Sequence, residues 1–420
     1  MRIKEQIIKH KSLAESFLSL SVLNAIEVLL PLVTLPYILR VVGAANYGIY
    51  SYVFVIIQYL LLLNNYGFNF SATKQVSQHR NESDKLNQIY TSVTICRILL
   101  FIGGVLFILA FSPFILKTMV EKLMFLLGLG IVIGAILNPI WLYQGMEKMR
   151  YMTIVNVSSR LLFTILIFVF IRKAEDYIYI ILYYSLGSII AGILSLIIAH
   201  KQFKVKFIKI SWNDIWYQFK DGFAIFCSTI GMNAYRNANV FILKFFVTDA
   251  ALGIYAAAEK IIKGMQLIIT PIAQSLFPHM SQNFKNQGYK QNIKQLRKAT
   301  LFFSCILLLA TGITFACAKW LVLLLCGETY LEAINIVRIM SFVIFFGGLN
   351  YMLGIVGLIN LGESKMFMYS VIIAGICSMI MLVFMAGSMG ITAGAITMVA
   401  AEFVLLIGIC VSFLLKRIRE

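Results

Sequence analysis

Apolar segments about 20 residues long recur along the whole of this chain, and their length constrains its fold more than any other feature. Hydrophobic residues make up 60% of the 420 residues and charged residues only 13%, and the mean hydropathy is +0.87. A soluble domain carries about 25% charged residues, so this chain cannot hide its apolar surface from water. The segments are too long for the strands of an outer-membrane barrel. The sequence therefore predicts an all-α integral membrane protein.

The apolar pattern predicts about twelve membrane spans. Their approximate limits are 13–41, 46–77, 88–112, 118–145, 151–172, 177–200, 216–247, 252–283, 296–318, 330–358, 366–387 and 391–415. Lys and Arg concentrate in alternate loops and at both ends of the chain, which places both termini in the cytoplasm. The net charge of +18 fits this topology and an attraction to anionic lipid, and no basic extramembrane domain indicates a nucleic acid partner. The basic N-terminus precedes a first membrane helix and not a cleaved signal peptide.

An internal repeat divides the chain into two halves. Gly-Ile-Tyr at 48–50 recurs at 253–255, and the segment 142–152 is echoed at 358–368. Repeats of six helices run in the same direction, and parallel repeats place a substrate site where the halves meet. We therefore predict two six-helix lobes joined by a basic cytoplasmic linker, with the boundaries 1–200, 201–215 and 216–420.

Several charged residues lie inside the predicted spans. A charge at bilayer depth costs roughly 2.5–3.5 kcal/mol on insertion scales, so it usually faces a water-filled interior and serves a function. The basic members outnumber the acidic ones: Arg97, Arg160, Arg236, Lys260, Lys263 and Arg338 against Glu27, Glu259 and Glu402. An excess of positive charge in the interior favours an anionic cargo.

The position of each charge indicates its role. Arg160 and Arg236 lie in polar stripes near mid-depth and are the strongest candidates for a cavity. Arg97 and Arg338 lie where a long side chain can reach the lipid headgroups. Lys260 has no evident partner in its helix and is a candidate for cargo contact.

The acidic residues leave two interpretations open. Glu259 and Lys263 have the spacing of an ion pair on one helix face. Glu402 and Glu27 can pair structurally or couple transport to H⁺ or Na⁺. No cofactor is indicated, since the four His residues are scattered and no nucleotide-binding or hydrolase motif is present. The chain is therefore not expected to be an enzyme.

Four segments are specific enough to resemble a known family. They are LPLVTLPYILRVVGAANYGIY (30–50), NYGFNFSATKQVS (65–77), NPIWLYQGMEKMRYMTIVNVSSRL (138–161) and GIYAAAEKIIKGMQLIITPIAQSLFPHMS (253–281). The chain resembles the Wzx-type O-antigen flippases of the polysaccharide transporter group, which belongs to the multidrug/oligosaccharidyl-lipid/polysaccharide exporter (MOP) superfamily. The resemblance covers essentially the full length.

The resemblance implies a V of two six-helix lobes around a central cavity, and alternating access. The implied cargo is an undecaprenyl-diphosphate-linked oligosaccharide, moved from the cytoplasmic to the periplasmic leaflet of the bacterial inner membrane for lipopolysaccharide O-antigen assembly. It carries over Arg40, Asn69 and Arg160 as substrate-binding residues, whereas Arg236, Lys260 and Arg338 are predicted from depth and charge alone. Implied partners are membrane lipids, the O-antigen polymerase and the chain-length regulator.

Other functions fit the sequence less well. A drug or cation antiporter of the same superfamily favours acidic residues in its cavity, whereas this interior is basic. A lipid II flippase commonly has more than twelve helices, and another lipid-linked polysaccharide exporter remains open. A membrane polymerase or ligase would carry a long periplasmic loop, and none is predicted here. A purely structural membrane protein gives no reason for Arg residues at mid-depth.

Overall fold

The computed structural model describes the backbone of residues 2–286 and 289–419 and places the side chains of residues 30, 33–223, 225–227, 237–267 and 291–416. The described backbone is helical and contains no strand. Its α-helices are α1 Arg2–Asn65, α2 Phe68–Gln78, α3 Ser83–Ala110, α4 Ser112–Ile115, α5 Met119–Leu137, α6 Ile140–Gly145, α7 Met149–Phe170, α8 Tyr177–Phe203, α9 Trp212–Leu243, α10 Asp249–Asn286, α11 Tyr289–Ala316, α12 Ala318–Leu325, α13 Ala333–Asn350, α14 Ser364–Met389 and α15 Ile391–Arg419. A π-helix at Tyr351–Ile359 follows α13, and short 3₁₀ turns lie at Ala174–Asp176 and Glu328–Tyr330.

Each of the twelve predicted spans falls on helix. Within the described residues, nine helical stretches are long and apolar enough to cross a membrane. The first two predicted spans together form α1 and α2, and the predicted span 118–145 is α5 followed by α6. The span 330–358 runs from the end of a 3₁₀ turn through α13 into the π-helix. The chain is thus a multi-pass membrane protein whose spans are interrupted at specific residues.

Gly43 marks the boundary between the first two spans inside α1. Its φ of 74° and ψ of 170° are not helical, so α1 is two helices joined across a kink. This backbone conformation is essentially restricted to glycine. No atom lies within 4 Å of a Cβ built at Gly43, so the backbone and not a lack of space requires glycine here.

The chain forms two compact units. The first contains residues 1–41 and 53–230, and the second contains residues 42–52 and 231–420. The predicted linker, 201–215, groups with the first unit, together with the start of α9. The segment 42–52 of α1, which was predicted as part of the N-terminal lobe, groups with the second unit.

In the first unit, α5 packs along α8 through serine hydroxyls. Ser185 Oγ donates to the Leu127 carbonyl (2.6 Å), and Ser188 Oγ donates to the Ile131 carbonyl (3.0 Å). Small polar residues of this kind let membrane helices approach closely and link them. Near the ends of these helices an aromatic core forms, whose fully buried members include Phe68, Tyr90, Trp141 and Tyr143.

In the second unit, the repeated Gly-Ile-Tyr motifs meet at a helix crossing. A Cβ at Gly48 would overlap the Asp249 carbonyl oxygen, and a Cβ at Gly253 would overlap the Ala44 carbonyl oxygen. Asp249 lies four residues before Gly253, and Ala44 lies four residues before Gly48, so the contact is reciprocal. Lys244 Nζ pairs with Asp249 Oδ1 (2.5 Å) beside this crossing. The two copies of the sequence repeat thus form one symmetric contact.

Candidate functional site

A buried arginine organises the membrane helices of the first unit. Arg97, on α3, is only 6% exposed. Its Nε donates to Asn64 Oδ1 (3.0 Å), and Asn64 Nδ2 donates to the Arg97 carbonyl (2.7 Å). Its Nη1 lies 3.5 Å from the carbonyl oxygens of Ile136 and Asn138. The guanidinium is therefore held at the end of α5, where unpaired carbonyls give a helix a partial negative charge.

The expectation that Arg97 reaches the lipid headgroups is wrong. The side chain turns into the unit because helix α1 ends near Asn64 and helix α5 ends near Asn138. Both ends leave polar groups that a guanidinium can satisfy with its five donors. No carboxylate ion pair to Arg97 is found within the part of the chain that the structure describes.

Asn138 extends this network toward α7 and α8. Its Nδ2 donates to Asn156 Oδ1 on α7 (3.0 Å), and its Oδ1 accepts from Ser195 Oγ on α8 (2.7 Å). Tyr143 OH donates to the Ser195 carbonyl (2.6 Å). Asn138 therefore fixes the side of α7 that carries Asn156.

Arg160 lies one turn beyond Asn156 on the same face of α7. Its side chain is half-buried. One further turn along, the Thr164 hydroxyl is buried and makes no hydrogen bond within the described structure. Asn156, Arg160 and Thr164 thus form a polar stripe on one face of α7, and the Arg97 network anchors one end of it.

Asn69 begins a second polar stripe on α2, directly after the break at Gly67. Its side chain is half-buried, and its carbonyl accepts the Thr73 hydroxyl (2.7 Å). The same hydroxyl lies within hydrogen-bond distance of the Trp141 carbonyl (3.2 Å) and of Gln144 Oε1 (3.3 Å) on α6. Helices α2 and α6 therefore come together around Thr73.

Arg40 lies in the first unit and is exposed, as expected for a residue at the end of a span. Arg338 lies on α13 in the second unit and is half-buried. Its guanidinium carbon is 5.8 Å from the centre of the Phe315 ring, which is a cation–π distance. The Arg338 Nε is buried and has no hydrogen-bond acceptor among the residues that the structure describes.

The predicted ion pair on α10 is confirmed. Lys263 Nζ lies 3.0 Å from Glu259 Oε1 and 3.4 Å from Asn237 Oδ1. Lys260, on the same helix, is exposed. The charge of Lys263 is thus matched by a neighbouring carboxylate.

Glu402 is buried in the second unit, beside the start of the π-helix. Asn350 Nδ2 donates to Glu402 Oε2 (2.7 Å) and to the Glu402 carbonyl (2.8 Å). Asn350 is the last residue of α13, so this contact holds the point at which the helix changes its winding. A π-helical turn often marks a functional position in a helix.

Two predicted site residues, Glu27 and Arg236, lie outside the described side chains. Among the described residues, no group of three or more His, Cys, Asp or Glu side chains is placed to hold a metal ion. The network of Arg97, Asn64 and Asn138 was missed by sequence reasoning. The signal that could have found it is an Asn immediately before Pro139 in an apolar span, since that pair ends a helix.

Comparison with known proteins decides the family. The profile of the family described as polysaccharide biosynthesis protein matches residues 13–284. The chain belongs to this family. Two relatives carry the name "Putative O-antigen transporter". The one from Escherichia coli (strain K12) is 28% identical over 93% of this chain and 94% of its own length. The one from Shigella dysenteriae is 26% identical over 67% of this chain and 69% of its own length.

Solved structures confirm the fold. A multidrug resistance MATE family transporter of the MOP superfamily in an inward-facing conformation has a TM-score of 0.72 at 12% identity, covering 93% of this chain and 94% of that one. The lipid II flippase MurJ in an inward closed conformation has a TM-score of 0.71 at 13% identity, covering 96% of this chain and 87% of that one. The chain therefore shares the helical fold of these two membrane proteins.

Proposed function

We propose that this protein is a flippase for undecaprenyl-diphosphate-linked O-antigen units, which it moves from the cytoplasmic to the periplasmic leaflet of the inner membrane for lipopolysaccharide biosynthesis. Its family, the names of its two relatives and a fold shared with a lipid flippase all support this proposal. The observation that carries it is the α7 stripe, in which a half-buried Arg160 lies between Asn156 and Thr164 inside a membrane helix.

The chemistry of the stripe matches the proposed cargo. A diphosphate carries negative charge on several oxygens, and a guanidinium binds such oxygens with two parallel hydrogen bonds. Asn and Thr side chains donate to and accept from sugar hydroxyls. Arg160 therefore binds the diphosphate in this proposal, and Asn69 contacts the sugar next to it. Arg40, Arg236, Lys260 and Arg338 are further proposed contacts.

The concentration of Lys and Arg in alternate loops and at both ends of the chain supports the proposed orientation, with both termini in the cytoplasm. Alternating access by two rigid halves exposes the site to each leaflet in turn. The O-antigen polymerase and the chain-length regulator are the proposed downstream partners, because they act on the same lipid-linked units.

Glu402 is the proposed site of ion coupling, with Glu27 as the second candidate. A carboxylate inside a membrane helix is costly and typically belongs to a proton or cation pathway. Its hydrogen bond from Asn350, next to the π-helix, ties any change in charge to the winding of that helix.

A drug or cation antiporter is the second candidate function, favoured by the fold shared with MATE transporters. The described part of the first unit argues against it, since Arg160 inside the membrane helix α7 would repel a cation. The two functions predict different phenotypes for loss of the gene.

The test is complementation in the host. Deletion of the gene should abolish the O-antigen ladder on a lipopolysaccharide gel, and wild type should restore it. Arg160→Ala should fail to restore it, while Arg150→Ala should succeed. Arg150 is the matched control because it lies exposed at the start of the same helix, α7. An unchanged ladder in the deletion strain, combined with increased drug sensitivity, would replace the flippase with an exporter of drugs.

A further inference from the structure

A basic segment connects α8 to α9 on the surface of the first unit. We call residues 204–211 the strap. Exposed lysines follow one another through it and just before it, and no Asp or Glu occurs from 201 to 213: the lysines are Lys201, Lys204, Lys206 and Lys209. The segment was predicted as a linker, but its contacts show an ordered surface.

The strap is fixed to α3 and α8 through its backbone. The Lys206 amide donates to Asn87 Oδ1 (2.7 Å), and the Ile208 amide donates to Thr91 Oγ1 (3.2 Å). A ring nitrogen of His200 lies 2.6 Å from the Val205 carbonyl, and the Val205 side chain is buried in the core. Because the backbone is anchored inward, the lysine side chains project from a fixed frame.

The first three turns of α9 continue this surface with aromatic residues. Trp212, Trp216 and Phe223 are 67%, 62% and 56% exposed. Their spacing of four and seven residues places them on one side of the helix. Ile215 and Gln218, farther round the helix, are buried. Gln218 and Gln75 exchange hydrogen bonds of 3.0 and 3.1 Å, which attaches this side of α9 to α2.

The carboxylate of Asp214, near the start of α9, accepts hydrogen bonds from neighbouring residues. Asp214 accepts from the Ser211 amide and hydroxyl (both 2.9 Å) and from Gln88 Nε2 (2.7 Å). These bonds, led by the Ser211 amide, lower the pKa of the Asp214 carboxyl. The carboxylate thus caps α9 and ties it to α3, and it pairs with none of the strap lysines.

The position of this surface, at the ends of two membrane helices, fits the level of the lipid headgroups. The strap begins where the membrane helix α8 ends and rests on the first three turns of α3, another membrane helix. Trp rings and Lys side chains both favour this zone, where an apolar body meets water and charged headgroups. Lysines near a membrane surface attract anionic lipid.

We propose that the strap and the exposed aromatic side of α9 form a binding surface for anionic phospholipid headgroups. The lysines bind the headgroup phosphates, and Trp212 and Trp216 pack against the upper acyl chains. The bound lipid anchors the first unit at one leaflet. This inference requires only that the chain spans a membrane, so it stands independently of the cargo.

Tryptophan quenching by brominated lipid tests the proposal. The chain has four Trp residues, of which Trp212 and Trp216 lie on this surface. Purified full-length protein in nanodiscs should be quenched more by dibromo-phosphatidylglycerol than by dibromo-phosphatidylcholine at the same mole fraction. We expect a quenching slope at least about twofold steeper, as several lysines acting together imply. Replacement of both residues, W212F with W216F, should remove the difference.

Charge variants make the test specific. The triple variant K204Q, K206Q and K209Q should equalise quenching by the two lipids. The matched control removes three exposed lysines elsewhere, K74Q, K148Q and K365Q, and should keep the wild-type preference. Equal quenching by both lipids in wild type would reduce the surface to an ordinary aromatic belt and overturn the proposal. Weak quenching by both lipids would also overturn it, because the Trp residues would then lie away from the lipid.

Discussion

At the scale of single residues, Arg97 shows that a charge at bilayer depth can serve structure. It lies between the ends of α1 and α5, and its donors face Asn64 Oδ1 and two backbone carbonyls. Asn138 in turn donates a hydrogen bond to Asn156, which lies one turn from Arg160. Arg97 thus positions the proposed site without being part of it.

Arg97→Met should therefore lower stability. The variant leaves Asn64 and the carbonyls at the end of α5 without a donor, and we expect a loss of about 2–3 kcal/mol from the charge-assisted bonds. Thermal unfolding in detergent measures it, with exposed Arg150→Ala as the control. An unfolding temperature equal to that of wild type would show that Arg97 holds no structural position.

Glu402 permits a cleaner separation of function from stability. Glu402→Gln keeps an oxygen that can accept the Asn350 bond, so the unfolding temperature should stay at the wild-type value. Transport in proteoliposomes should lose its dependence on an imposed H⁺ or Na⁺ gradient. Glu363→Gln is the control, since Glu363 pairs with Lys416 (3.5 Å) at a helix end. Gradient dependence that persists in Glu402→Gln would assign coupling to another residue.

At the scale of helices, breaks in the helical backbone separate the spans and divide them into shorter helices. Gly43 separates two spans within α1, Gly67 precedes α2, and Asn138 and Pro139 separate α5 from α6. The predicted spans fell on these helices because apolar length is a strong signal. The sequence did not predict the breaks inside the spans, at Gly67 and at Asn138 and Pro139. Such breaks depend on tertiary partners, such as Arg97 and Thr73, that form hydrogen bonds with the freed backbone groups.

The glycine crossing gives a prediction at this scale. Gly48→Ala and Gly253→Ala should each destabilise the protein by about 1–3 kcal/mol, since a methyl group would strike backbone that cannot rotate away. Gly103→Ala is the matched control, because it is a helical glycine with no atom within 4 Å of an added Cβ. Thermal unfolding of the three variants compares them. Equal behaviour of all three would show that the two motifs do not pack as described.

At the scale of the whole molecule, the duplication stays a prediction from short sequence matches. The structure shows that the two Gly-Ile-Tyr copies meet at the reciprocal contact of Gly48 and Gly253. The fold class could be predicted because span length, loop charge and the repeat all point to it. The candidate site could be predicted only in part. Charge and depth identify Arg160, but which Arg packs inward is decided by helix ends that sequence does not locate.

The most direct measurement of the central claim is flipping in a purified system. Wild-type protein and Arg160→Ala are reconstituted into liposomes that carry a fluorescent undecaprenyl-diphosphate-linked oligosaccharide, and transfer between leaflets is followed by quenching from outside. We expect rapid transfer with wild type and transfer near that of protein-free liposomes with Arg160→Ala, while Arg150→Ala behaves as wild type. Wild-type protein that leaves the lipid-linked sugar in its original leaflet, under every imposed ion gradient, would contradict the account.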